Sequence, residues 1–79
     1  MIWNTDYDFP LKDNEAYIEL YKLLKVINLV ESGSIAKQVI SDGMVLVDGI
    51  VEYKKRKKVR SGQVVEFNKK TIMVQSDFV

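Results

Sequence analysis

Cysteine and histidine are both absent from this 79-residue chain. The first absence excludes disulfide staples and thiolate metal sites. The second removes the commonest general base and a frequent metal ligand. No Gly-rich phosphate loop, nucleophile elbow or cluster with metal-ligand spacing occurs either. Asp6 with Asp8, and Asp48 with Glu52, resemble paired carboxylates, but each sits on a strand or in a turn with an ordinary structural role. The chain is therefore expected to be no enzyme, to hold no cofactor or metal, and to take no small-molecule substrate. No apolar stretch approaches the roughly 20 residues of a membrane span. Met1-Ile2-Trp3 is followed at once by Asn4, Asp6 and Asp8, which is no export signal. The expected location is the cytoplasm, away from membranes.

What is present is the composition of a folded chain: 47% hydrophobic and 29% charged residues exclude disorder over most of the length. At this size the whole of 1–79 forms one small domain with a single core, without repeat or linker. The net charge of +1 hides an asymmetry. Residues 1–31 carry three basic against six acidic side chains, a net −3; residues 32–79 carry nine against five, a net +4. The positive half contains the tract Tyr53-Lys54-Lys55-Arg56-Lys57-Lys58-Val59-Arg60, with six basic residues of eight and no acid. Such a cluster repels itself unless a polyanion offsets it.

Along the chain, Tyr7, Phe9 and Leu11 alternate with polar residues, the pattern of a half-buried strand confined to an edge by Pro10. Asp13-Asn14 reads as a turn, and Ala16-Tyr17-Ile18 as the returning strand of an N-terminal hairpin. Leu20, Leu23, Leu24 and Ile27 then stand at i, i+3, i+4 and i+7, predicting a helix of about three turns to Leu29. Ser32 or Ser34 caps a second helix, with Ile35, Ala36, Val39 and Ile40 on its apolar face, and Gly43 ends it. Met44–Val47 is apolar on both parities and reads as a central strand. Asp48-Gly49 is a strong hairpin turn, returning through Ile50–Tyr53. The basic tract follows as a loop or irregular edge. Ser61-Gly62 turns into Gln63–Phe67, and Asn68-Lys69-Lys70 into Thr71–Gln75. The fold class is α+β, two packed helices on a small, largely antiparallel sheet.

These features resemble the S4 RNA-binding domain. The resemblance rests on Ser32-x-Ser34-x-Ala36-Lys37, on Ile40-x-x-Gly43-x-Val45-x-Val47-Asp48-Gly49, and on Val59-x-x-Gly62-x-x-Val65. It covers about residues 17 to 67. The chain is also similar to short, free-standing S4-like proteins of bacteria through Tyr17-Ile18-x-Leu20, Leu23-Leu24-Lys25, Ser32-Gly33-Ser34, Glu52 and Lys58-Val59. The resemblance implies a helix pair laid on a sheet, the αL motif. It also implies binding of structured RNA, with ribosomal RNA or a ribosome assembly intermediate as the expected target. The general S4 pattern has an arginine at the start of the first helix and another after the capping serine. Here Glu19 and Gly33 stand at those places, and Gln63 replaces an aspartate.

RNA binding is thereby shifted onto other residues. The candidates are Ser32, Gly33, Ser34 and Lys37 at the second helix, and Lys54, Lys55, Arg56, Lys57, Lys58 and Arg60 in the tract, as two walls of one basic groove. Lysines and arginines release counterions from phosphates, and arginine adds bidentate geometry. Tyr53 is the candidate for stacking on a base, or else a strand-end core residue. Tyr17 and Tyr21 have the same ambiguity, and Trp3 is expected to cover the sheet or mark a contact surface. Two rival readings are a protein-interaction adaptor that kept the fold without the RNA, and a DNA-binding helix-turn-helix. The residues assign no oligomeric state.

Overall fold

The computed structural model describes residues 6–12 and 14–76. Trp3 and Asp13 lie outside the described residues, as do the first and last residues of the chain. The element order is β1 (Tyr7–Leu11), β2 (Ile18–Glu19), α1 (Leu20–Val26), α2 (Gly33–Ser41), β3 (Val45–Val47), β4 (Ile50–Val51), β5 (Lys58–Val59), β6 (Val64–Phe67) and β7 (Lys70–Ser76). Five strands form one sheet in the order β1-β7-β6-β3-β4, and β2 pairs with β5 in a separate ribbon. All pairings are antiparallel except β1 with β7. No helix among the described residues is long and apolar enough to cross a membrane.

The expected two helices on a largely antiparallel sheet are present, but the N-terminal hairpin is not. β1 runs parallel to β7, with Tyr7 beside Ile72 and Phe9 beside Val74. The pairing places Tyr7, Phe9 and Leu11 on the face that Ile72 and Val74 bury, an apolar match that the exposed Ala16 and Tyr17 do not offer. Between β1 and β2 the chain bends at Lys12–Glu15. There Glu15 N–H donates to the Lys12 carbonyl, and Lys12 N–H donates to the Glu15 carboxylate. Pro10 does sit on an edge strand, as its missing N–H requires.

Both helices end in the same way. After α1, Asn28 takes φ 62°; its N–H donates to the Lys25 carbonyl and that of Leu29 to the Leu24 carbonyl. After α2, Gly43 takes φ 78°, and the N–H groups of Gly43 and Met44 reach the Ile40 and Val39 carbonyls. These are paired Schellman closures. The first one stops α1 at Val26, short of the predicted Leu29. The sequence carries little sign of this stop, because a short polar side chain and not a glycine occupies the left-handed position at Asn28. The positive φ favours glycine at position 43, and a Cβ there would press on the exposed Tyr53 ring at 3.1 Å.

The core lies between the helix pair and the sheet. Leu20, Leu23 and Leu24 of α1 and Ala36 and Ile40 of α2 meet Val45, Val65, Ile72 and Val74, all essentially fully buried. Ile27 and Val39 pack at its margin, whereas Ile35, expected on the apolar face, is exposed. β3 is central between β4 and β6, and Asp48 and Gly49 both take positive φ, as a type I′ turn demands. Met44 lies outside this strand and is exposed.

Candidate nucleic-acid interface

Glu19 is the N-cap of α1, yet its side chain makes no capping bond. The basic tract does the capping instead. Leu20 N–H donates to the Lys57 carbonyl at 2.9 Å, and Tyr21 N–H to the Lys55 carbonyl at 3.1 Å. Two otherwise orphaned first-turn donors are thus satisfied by the backbone of the tract. Beyond them β5 pairs with β2, setting Lys58 opposite Glu19 and Val59 opposite Ile18. Val59 is fully buried and pins the far end of the tract to the core. A run of charge that reads as a loose loop is therefore held against the start of α1 at both ends.

This attachment orders the side chains around two tyrosines. The Lys37 Nζ, from α2, lies 4.7 Å from the centre of the Tyr21 ring. The Arg56 guanidinium, from the tract, lies 5.2 Å from the same centre, and Lys22 Nζ 5.9 Å. Arg56 also donates to Glu19 Oε1 at 3.3 Å and to the Tyr21 hydroxyl at 3.5 Å, while Lys22 pairs with Glu19 at 3.4 Å. Tyr17 repeats the theme, with Lys58 at 5.2 Å and Arg60 at 5.8 Å from its ring centre. Such cation–ring contacts are worth about 0.5–1 kcal/mol each at exposed sites.

The expected site residues are not all placed alike. Lys37, Arg56, Lys58 and Arg60 gather on the two rings; Lys54 and Lys55 are exposed, and Lys57 is half-buried. Ser32 is the N-cap of α2, its hydroxyl accepting from Ile35 N–H at 3.2 Å, and Ser34 is exposed. Gly33 has no left-handed backbone. A Cβ there would stand 3.8 Å from the Tyr21 ring, in ordinary contact. An open cleft of about 520 Å³ lies between α1 and the start of α2, lined by Tyr21, Lys22, Lys25, Val26, Asn28 and Gly33. Tyr53 is 63% exposed, with its ring edge across Gly43; it is no core residue.

Gln63, the departure at the turn before β6, spans two groups. Its side-chain oxygen accepts from Arg60 N–H at 2.9 Å and its amide donates to Asp48 at 3.0 Å. A carboxylate at position 63 could accept the first bond but would repel Asp48. Asp48 also accepts from Val64 N–H at 2.9 Å. The Val64 and Gln63 bonds, helped by the charge of Lys57, hold its carboxyl below the ordinary 3.8. The carboxylates considered as catalytic pairs are similarly occupied: Asp6 accepts from Thr71 N–H, Asp8 from Gln75, and Glu52 from Lys54 N–H.

With this geometry the chain can be set beside known proteins. The S4 domain profile matches residues 9–75. The chain belongs to the S4 domain family. Within that family it is similar to YbcJ of Escherichia coli, 45% identical over 58 residues that span 73% of this chain and 83% of that protein. YbcJ of Shigella flexneri matches to the same extent. The solution structure of the E. coli protein superposes with a TM-score of 0.68 at 39% identity, covering 95% of this chain and 96% of that one. That structure is described as revealing an αL motif involved in RNA binding. The S4 arginine positions are occupied here by Glu19, which holds Arg56, and by Gly33, which faces Tyr21. Composition and spacing point to the cations of this S4 domain, and to Tyr21 only as a base-stacking or core side chain, not as the ring the cations surround. Its role depends on α1, α2 and the tract meeting in space, which no local pattern encodes.

Proposed function

We propose that this chain is a non-catalytic RNA-binding module that works in the cytoplasm on structured RNA, with ribosomal RNA or a ribosome assembly intermediate as its target. One observation carries the reading: cations from α1, α2 and the tract converge on one aromatic ring, with Glu19 the carboxylate paired there. Like charges held together need an anion, and a phosphate backbone supplies a row of them. The RNA-binding αL motif of the similar E. coli structure supports it. In this reading Lys37 and the tract from Lys54 to Arg60 form the walls of one basic groove, and recognition is of backbone and shape rather than base edges.

Titration of a labelled stem-loop RNA in rising salt tests the reading. Reversal of charge at Lys55, Arg56 and Lys57 to glutamate is expected to weaken binding by at least about a hundredfold, because each lost phosphate contact also removes released counterions. Binding that is indifferent to salt, or that survives the triple reversal, overturns the mechanism. Equal competition by duplex DNA would favour the helix-turn-helix reading. Cross-linking in cells identifies the RNA. The adaptor reading draws on the exposed apolar side chains Ile50, at 73%, and Met44, at 51%. Partners retained in a pull-down after ribonuclease treatment would favour it.

A further inference from the structure

We infer that Tyr21 is a positioning residue of the RNA site: its ring gathers Lys37 and Arg56 from separate segments onto one phosphate-binding position without neutralising them. The inference rests on the RNA-binding reading and names which residue assembles the site. Lysine and arginine side chains are long and lose much rotamer freedom when fixed. A carboxylate partner can fix them, but it cancels the charge and must be displaced before a phosphate can bind. An aromatic face fixes a cation through its quadrupole and leaves the positive charge whole.

Tyr21 is suited to this on three counts. It is half-buried and packs against the core, so its ring is held in place. Its own N–H is tied to the Lys55 carbonyl, which sets the tract beside the ring. Gly33 adjoins the ring without crowding it, and even a Cβ there would come no nearer than 3.8 Å. The result is Lys37 at 4.7 Å and Arg56 at 5.2 Å from one centre, two cations from α2 and the tract, of which Arg56 also pairs with Glu19. Bringing like charges together in the free protein opposes folding, and a bound phosphate removes that opposition. Tyr17, with Lys58 and Arg60 over its ring, forms a second position of the same kind.

The test compares wild type, Tyr21→Phe and Tyr21→Leu, all of equal charge, in the salt titration with the labelled stem-loop RNA. Tyr21→Phe keeps the ring and loses a long bond to Arg56, so it should bind within about twofold of wild type. Tyr21→Leu should bind roughly five- to twentyfold more weakly, the size of one or two lost cation–ring contacts. Its slope of log affinity against log salt should flatten by about one unit, since one phosphate is no longer neutralised. A purely structural role would lower stability and leave the slope unchanged. Wild-type binding with an unchanged Tyr21→Leu slope overturns this inference alone; wild type that binds no RNA overturns the RNA reading with it. Should Tyr21→Leu fail to fold, proton shifts decide the matter on wild type. Lys37 side-chain methylenes shifted upfield by the ring, in the free and bound protein, support the assignment. Methylenes at their unstructured positions overturn it.

Discussion

Glu19 shows how one side chain changes the character of a surface. It stands where the S4 pattern has an arginine, and the sequence alone suggests a lost phosphate contact. In the folded chain it instead restrains two cations, Arg56 at 3.3 Å and Lys22 at 3.4 Å. Pairs this exposed contribute at most about 1 kcal/mol to stability, so their removal should leave the fold intact. The effect on binding should be larger, because an anion approaching Arg56 must compete with the carboxylate. Glu19→Gln keeps an oxygen that can accept from Arg56 while removing the charge. It is expected to bind the stem-loop RNA about three- to tenfold more tightly at low salt, with a steeper salt slope. Fluorescence anisotropy would measure this. Unchanged affinity would mean that Arg56 is not at the interface.

At the scale of elements, the hairpin of β3 and β4 depends on Asp48. This residue occupies the turn at φ 52° and uses its carboxylate to hold Gln63 and Val64 at the entrance to β6. Its folded-state carboxyl titrates lower than the ordinary 3.8. A depressed pKa means stability that is present above the unfolded value and lost as pH falls through the folded one. The melting temperature should therefore hold down to about pH 4 and decline below it. Asp48→Asn tolerates the left-handed backbone and can still accept from Val64. It should melt lower than wild type near neutral pH and decline less steeply in acid. Parallel acid profiles for the two proteins would show that another carboxylate governs the loss.

The same scale separates what the sequence reveals from what it conceals. The Asp48-Gly49 turn, a serine cap at Ser32 or Ser34 and the Gly43 stop are legible because each is a local demand on φ or on one donor within four residues. The Leu20/Leu23/Leu24 stripe is legible from its period. β1 is legible as an edge strand from Pro10, but its partner is not. Tyr7 pairs with Ile72 across nearly the whole chain, and hydrophobic alternation says which face is buried without saying against what. The basic tract is obvious as charge. That its carbonyls cap α1 is not, since a backbone acceptor leaves no mark in composition.

Across the whole molecule, one cluster of charge should respond to salt in two opposite ways. Two unit charges about 10 Å apart in water repel by about 0.4 kcal/mol, and six cations within seven residues present many such pairs. The two attractive contacts of Glu19, both exposed, are too few to balance them. Screening therefore relieves the free protein more than it harms it. Raising sodium chloride from about 0.02 to 0.3 M, where the screening length falls below 10 Å, should raise the melting temperature by a few degrees. Over the same range RNA affinity should fall by orders of magnitude. Charge reversal at Lys55, Arg56 and Lys57 should abolish both responses together, because one set of side chains causes both. Calorimetry and anisotropy on the same samples measure the two trends. A melting temperature that falls with salt would mean that the carboxylates of residues 6–31, rather than the repulsion within the tract, dominate the field of the folded chain.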